Sequence, residues 1–105
     1  MARRNFRGRA VVITGGAGGI GRALGRAFGN AGAKVALVDL PTSPLEEARA
    51  ELEALGVRAL ALPCDITDVE QVHATMKQAL ATFGSIDVLI NNAGIVHRSA
   101  FAETR

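Results

Sequence analysis

Residues 10–21 read AVVITGGAGGIG, an apolar, mostly β-branched run that breaks off into five glycines within seven positions. The run, Ala10–Thr14, predicts a strand covered on both faces, because nothing polar interrupts it before Thr14. The glycines predict a tight connection, and from Ile20 onward apolar residues recur at helical spacing. A strand, a glycine turn and a helix open a βαβ unit, and the rest of the chain repeats the rhythm.

KVALVD (Lys34–Asp39), VRALAL (57–62) and IDVLIN (86–91) predict three more strands. Between them lie three amphipathic segments. Ile20, Ala23, Leu24, Ala27, Phe28 and Ala31 share one face of the first, Leu45, Ala48, Leu52 and Leu55 one face of the second, and Val69, Val72, Met76, Leu80 and Phe83 one face of the third. Ser43-Pro44-Leu45-Glu46 and Thr67-Asp68-Val69-Glu70 have the form of capping boxes, with Ser43 and Thr67 as N-caps. Gly32, Gly56 and Gly84 stand where a left-handed residue closes a helix. Four parallel strands joined by right-handed crossovers predict an α/β, doubly wound sheet in the order 3-2-1-4 with three helices. Its ligand crevice falls at the switch point, outside the C-terminal ends of strands 1 and 4.

Composition narrows the class. A chain of 105 residues has room for one small domain, and it has four Phe (Phe6, Phe28, Phe83, Phe101) but no Trp or Tyr, so the core is built from Ala, Val, Leu and Ile. The net charge of +2 owes much to Arg3, Arg4, Arg7 and Arg9. Such a leader, residues 1–8, is read as a solvated, partly disordered tail rather than a nucleic-acid arm. No apolar run approaches the roughly 18 residues of a membrane helix, and no secretory signal follows Met1. A soluble, cytoplasmic protein with no nucleic-acid or membrane partner is expected. Cys64, the single cysteine, suits a reducing compartment and excludes both an internal disulfide and a multi-cysteine metal cluster.

Chemistry concentrates at three connections. The turn Thr14 to Gly21 can bring bare N–H groups and a positive helix end to a phosphate. It satisfies two glycine registers, Gly16-Gly18-Gly21 and Gly15-Gly19-Gly21, while Arg22-Ala23 after the last glycine excludes a P-loop. Asp39 closes the second strand 18 positions past Gly21. A carboxylate there accepts from both adenosine ribose hydroxyls and repels a 2′-phosphate, so NAD is preferred over NADP; the competing reading is a strand-end cap. Gly18 agrees, since no basic side chain replaces it inside the turn. Asp65, in Cys64-Asp65-Ile66, either meets an adenine amino group or caps the turn before Thr67. Asn91-Asn92-Ala93-Gly94 leaves the fourth strand at the crevice, where an Asn amide can brace backbone and Ala93 and Gly94 let a ligand lie close.

TGGAGGIG, Asp39, Asp65 and NNAG, in this order, resemble the N-terminal, cofactor-binding part of a short-chain dehydrogenase/reductase, and the resemblance runs from Gly8 to Arg105. It implies a Rossmann-type domain, of which residues 1–105 are the N-terminal part with 1–8 as basic leader. It also implies the register Gly15, Gly19, Gly21 and a cofactor site made of these with Ile20, Asp39, Asp65, Ile66, Asn91, Ala93 and Gly94. Ile20 would pack beneath the pyrophosphate, and Asn91 would contact the adenosine side while steadying the sheet.

The catalytic half of that family's pattern is not carried over. The resemblance implies a Tyr-x-x-x-Lys pair, a preceding Ser and a helix Asn, and this chain has no tyrosine and ends before the other three. Proton transfer by a placed side chain is typically worth about 10² to 10⁴ in rate. Ser85, Ser99, His97, His73, Lys34 and Lys77 form no substitute site. The expectation is therefore the NAD-binding portion of an oxidoreductase acting on alcohols or ketones, inactive by itself, with the chain a piece of a longer one by truncation, design or proteolysis. Self-association through an exposed fourth-strand edge is expected as well. The alternatives are a stand-alone dinucleotide-binding or interaction module and a methyltransferase relative, against which NNAG argues.

Overall fold

The computed structural model describes residues 5–92, so the expectations for Ala93, Gly94, His97 and Ser99 lie outside the described residues. Seven elements alternate: β1 (Ala10–Thr14), α1 (Gly19–Asn30), β2 (Lys34–Asp39), α2 (Leu45–Ala54), β3 (Ala59–Pro63), α3 (Val69–Phe83) and β4 (Val88–Asn91). The strands are all parallel, in the predicted order β3-β2-β1-β4.

Side-chain alternation along each strand divides the interior into two layers. Val11, Ile13, Val35 and Leu37 share one cluster with Leu45, Ala48 and Leu52 of α2. Ala10, Val12, Ala36, Val38 and Leu62 share the other with Ala79 and Phe83 of α3. Both layers claim apolar partners, which is why β1 and β2 read as unbroken apolar runs.

Helix α1 departs from the expected face. Its buried residues are Gly21, Gly25 and Gly29, whereas Ile20 is 63% exposed and Ala23 and Ala27 also face outward. An ideal Cβ on Gly29 would stand 2.6 Å from Val57 Cγ2, and one on Gly25 3.3 Å from Leu52 Cδ1. The helix rests its backbone on its neighbours, with Leu24 and Phe28 packing alongside. Helix α3 is likewise rotated from expectation: Thr75, Ala79 and Phe83 are buried, and Val69 and Leu80 are exposed. Phe83 is buried as expected, and Val72 and Met76 pack against the same cluster half-buried, while Thr75 and Ala79 take the most enclosed positions. In α2, Leu45, Ala48 and Leu52 are buried as expected, and Leu55 is exposed because it follows the last helical residue.

The two predicted N-caps each move by one residue. Ser43 Oγ donates to Leu40 O at 2.6 Å, Pro44 takes the cap position, and no side chain caps α2. Asp68 caps α3, its carboxylate accepting from Glu70 N and Gln71 N, while the Thr67 hydroxyl donates to Asp65. Gly32, Gly56 and Gly84 have φ of 102°, 84° and 87°, as a left-handed closure requires.

Two strand starts also shift. β3 begins at Ala59 because Val57 N donates to Leu52 O and belongs to the turn after α2. β4 begins at Val88 because the Asp87 side chain takes the Ala10 N–H that a ladder carbonyl would otherwise accept. Within the described part of the leader, Phe6 stacks edge-on against Phe28 with centroids 5.0 Å apart, and Phe6 N donates to Ala31 O. Among the described residues no helix is long and apolar enough to cross a membrane.

Asp87 locks the start of the β1–β4 pairing. Its Oδ2 accepts from Ala10 N at 2.8 Å and from Ser85 Oγ at 2.9 Å, while Asp87 N donates to Ala10 O. The Ala10 amide, then the Ser85 hydroxyl, hold its carboxyl below the usual carboxylate value, with Arg9 and Lys34 adding to the effect. A carboxylate whose folded pKa is depressed stabilises the fold above its unfolded value, about 3.9, and loses that contribution as pH falls through the folded value. Asp87→Ala is therefore predicted to lower the denaturation midpoint at pH 7, and urea titrations are predicted to show the gap to wild type closing below about pH 4.

Candidate dinucleotide-binding site

The corner between β1 and α1 is built from backbone. Gly15 turns the chain at φ 66°, a left-handed value that favours glycine. Gly16 N donates to Val38 O at 3.0 Å and Gly18 N to Gly15 O at 3.2 Å, which stitches the loop to β2 and to itself. An ideal Cβ on Gly21 would lie 2.1 Å from Gly15 O, so the first turn of α1 sits directly on the loop. The same carbonyl accepts from Asn92 Nδ2 at 3.2 Å, tying the end of β4 to the corner.

Gly18 is the N-cap of α1, no side chain caps the helix, and its first turn holds no acidic residue. No described side chain therefore caps this end of the helix or places a negative charge in its first turn, and such an end favours an anion. Gly19 differs from Gly15 and Gly21. Its φ is not positive, and among the described residues nothing lies within 4 Å of where its Cβ would be.

Asp39 faces this corner. Its Oδ2 accepts from Ala17 N at 3.0 Å and its Oδ1 from Leu40 N at 2.8 Å. Each oxygen retains acceptor capacity, since a carboxylate offers about four lone-pair sites. Asp65 is engaged differently: Oδ1 takes both the Thr67 N–H at 3.0 Å and the Thr67 hydroxyl at 2.7 Å, the hydroxyl chiefly holding its carboxyl below the ordinary value. Oδ1 thus caps the turn before Thr67, and that cap leaves Oδ2 outside its bonds, so the two readings of its sequence position are compatible.

Ile66 and Asn91 come together at a second feature. With Thr14, Val72, Met76 and Leu89 they line a cleft of about 210 Å³ at the C-terminal ends of β1 and β4. The Thr14 hydroxyl lies 3.1 Å from Asn91 Oδ1 and 3.3 Å from Ile90 O, bridging the two strand ends. The crevice thus falls at the predicted switch point, with the glycine corner reaching it through Thr14. Among the described residues no cluster of His, Cys, Asp or Glu could hold a metal ion.

Of the residues that sequence reasoning assigned to one corner, Gly15, Gly21 and Asp39 are bonded or packed into the β1–α1 loop, and Gly19 and Ile20 open α1 beside it with Ile20 exposed. It missed Ala17 and Asn92, whose contributions are a main-chain amide and a bond to a carbonyl. NNAG pointed to the second, but only the fold shows which asparagine reaches Gly15.

The family model described as short chain dehydrogenase matches residues 9–105. The chain belongs to the short-chain dehydrogenase family. It is 44% identical over 95 residues to a short chain dehydrogenase/reductase of Macrophomina phaseolina, covering 90% of this chain and 54% of that protein. Among solved structures, a short chain dehydrogenase from Mycobacterium smegmatis superposes with a TM-score of 0.80 at 37% identity, covering 85% of this chain and 38% of that one. An NAD+-bound xylitol dehydrogenase superposes at 0.78 and 35% identity, covering 81% of this chain and 33% of its own. The chain thus spans between a third and just over half the length of these family members. Membership sets aside the methyltransferase alternative.

The fit of Gly21 against Gly15 yields a prediction. Gly21→Ala forces a methyl against backbone that cannot rotate away, and the fold is predicted to lose about 1–3 kcal/mol in a denaturant titration.

Proposed function

We propose that this chain holds the adenosine diphosphate part of NAD, and that the dehydrogenase to which this portion belongs transfers hydride between NAD and an alcohol or ketone. The observation that carries the reading is the pairing of an uncapped helix end with a carboxylate aimed at the same corner. In this reading the amides of Gly19 to Gly21 bind the pyrophosphate and Asp39 accepts from both ribose hydroxyls. Asp65, Ile66, Asn91, Ala93 and Gly94 flank the adenosine. NAD, when bound, supplies the hydride acceptor. The chain supplies binding and orientation, and with no tyrosine it does not supply the proton-transferring phenol that the resemblance implies.

NAD is favoured over NADP because the Asp39 carboxylate would meet a 2′-phosphate with like charge and leave its own bonds unmade. Gly19 supports the reading from the other side, since its φ is not positive and no described protein atom lies within 4 Å of where its Cβ would be, so the fold among the described residues does not require glycine there. A close-lying ligand explains it.

Two further parts of the proposal concern surroundings. Leu89 on β4 is 56% exposed, and β4 pairs only with β1 among the described residues, which supports self-association through that edge. The free, buried thiol of Cys64 is compatible with a cytoplasmic setting.

Calorimetric titration with ADP-ribose and its 2′-phosphate tests the nucleotide reading. Gly19→Ala is predicted to keep or raise thermal stability while weakening ADP-ribose. Asp39→Ala is predicted to weaken ADP-ribose by about tenfold or more, since bonds to a charged group are worth about 1.5–3 kcal/mol and 1.4 kcal/mol is tenfold. It should also narrow the gap to the 2′-phosphorylated ligand. Unchanged ADP-ribose affinity in both variants contradicts the site.

A further inference from the structure

Arg22 is a cation one turn from the helix end where a phosphate would bind, and it points the other way. Its Nε donates to Ala17 O at 3.0 Å, Nη1 to Glu51 at 2.9 Å, and Nη2 to Glu47 at 2.8 Å and to Pro44 O at 3.4 Å. Only 19% of its side chain is exposed, against 69% for Glu47 and 47% for Glu51. Pairs this open on the acidic side add little to stability in themselves. Their effect is geometric, because a planar fork held by two carboxylates fixes where the third donor points.

That donor meets the residue on which Asp39 depends. Ala17 gives its N–H to Asp39 Oδ2 and its carbonyl to Arg22 Nε, so the two charged side chains grip it from opposite ends. Ala17 is itself 5% exposed, which leaves the loop little room to adjust if one grip is lost.

We propose that Arg22, anchored by Glu47 and Glu51 of α2, is a positioning residue for adenosine-ribose recognition: it holds the Ala17 carbonyl so that the Ala17 amide presents the Asp39 carboxylate to the ligand. This rests on the dinucleotide reading of the corner. It assigns to α2, which holds none of the residues proposed to meet the ligand, a role in binding, and it excludes direct attraction between Arg22 and phosphate.

The two roles differ in sign. If Arg22 were a phosphate ligand restrained by acids, the double variant Glu47→Gln/Glu51→Gln would release it and tighten ADP-ribose. As a positioning residue it loses its anchor, and binding weakens several-fold. Arg22→Lys keeps the charge without the fork, so it should bind ADP-ribose nearly as poorly as Arg22→Ala, about tenfold below wild type. Because Arg22 acts through Asp39, Arg22→Ala should cost little in an Asp39→Ala background.

The test combines calorimetry on these variants with the amide proton shift and exchange rate of Ala17 in 15N-labelled, ligand-free protein. Support is weakened binding in the Gln/Gln variant, non-additivity with Asp39→Ala, and a Ala17 amide that moves upfield and exchanges faster in the Gln/Gln variant. Tighter binding in that variant, full rescue by Arg22→Lys, additive losses, or an unmoved Ala17 amide would each overturn the proposal. Should wild type fail to bind ADP-ribose, the nucleotide reading falls; the Ala17 amide still decides whether the clamp exists.

Discussion

The sheet-facing side of α1 carries no side chains at Gly21, Gly25 and Gly29, and this lets the helix backbone settle directly on Gly15, Leu52 and Val57. Everything at the candidate site follows from that approach. With the helix held so close, its first turn sits over the loop that leaves β1, and the loop is near enough to β2 for Gly16 N to reach Val38 O and Ala17 N to reach Asp39. A methyl at Gly21 alone would push the helix off Gly15 O and draw the start of α1 away from Asp39.

Within that frame, the corner presents a positive helix end and a carboxylate together without neutralising either. Two opposite charges set side by side tend to cancel, and here they do not. Asp39 accepts from the amides of Ala17 and Leu40 rather than capping α1. Arg22, the cation that could have quenched Asp39, is instead satisfied by Glu47 and Glu51, which raise its pKa, the Glu47 bond most of all. Partner choice among four charged side chains keeps the ligand-facing surface of the corner polar.

Much of this was legible in the residues. Alternating periods gave the strand order, and the glycine turn, Asp39 and NNAG marked the crevice, because each needs a residue type whose physics is local: φ near 66° at Gly15, a carboxylate at a strand end. The α1 face was not legible. Counting apolar side chains turned Ile20, Ala23 and Ala27 inward, since a pattern of hydrophobic residues cannot register a surface that packs by having none. The capping boxes misled for a related reason. Ser43 and Thr67 have the right spacing, but instead of accepting from the first turn each hydroxyl donates backwards, to Leu40 O and to Asp65 Oδ1, and the neighbouring residue took the cap position. Asp65 was ambiguous from the start, and its bonds to Thr67 are ones that sequence allowed without choosing. Arg22 was invisible as a site residue, and NNAG did not say which asparagine braces the corner, because their partners are carbonyls and acids distant in the chain.

The most direct measurement is a 15N-resolved titration of the protein with ADP-ribose. The largest amide shifts are expected at Ala17 through Gly21 and at Leu40, with smaller ones at Asp65, Ile66 and Asn91, all saturating together as one site. Shifts confined to α3 and β4, or no shift at millimolar ligand, would contradict the claim that the corner between β1 and α1 is shaped for an adenosine diphosphate.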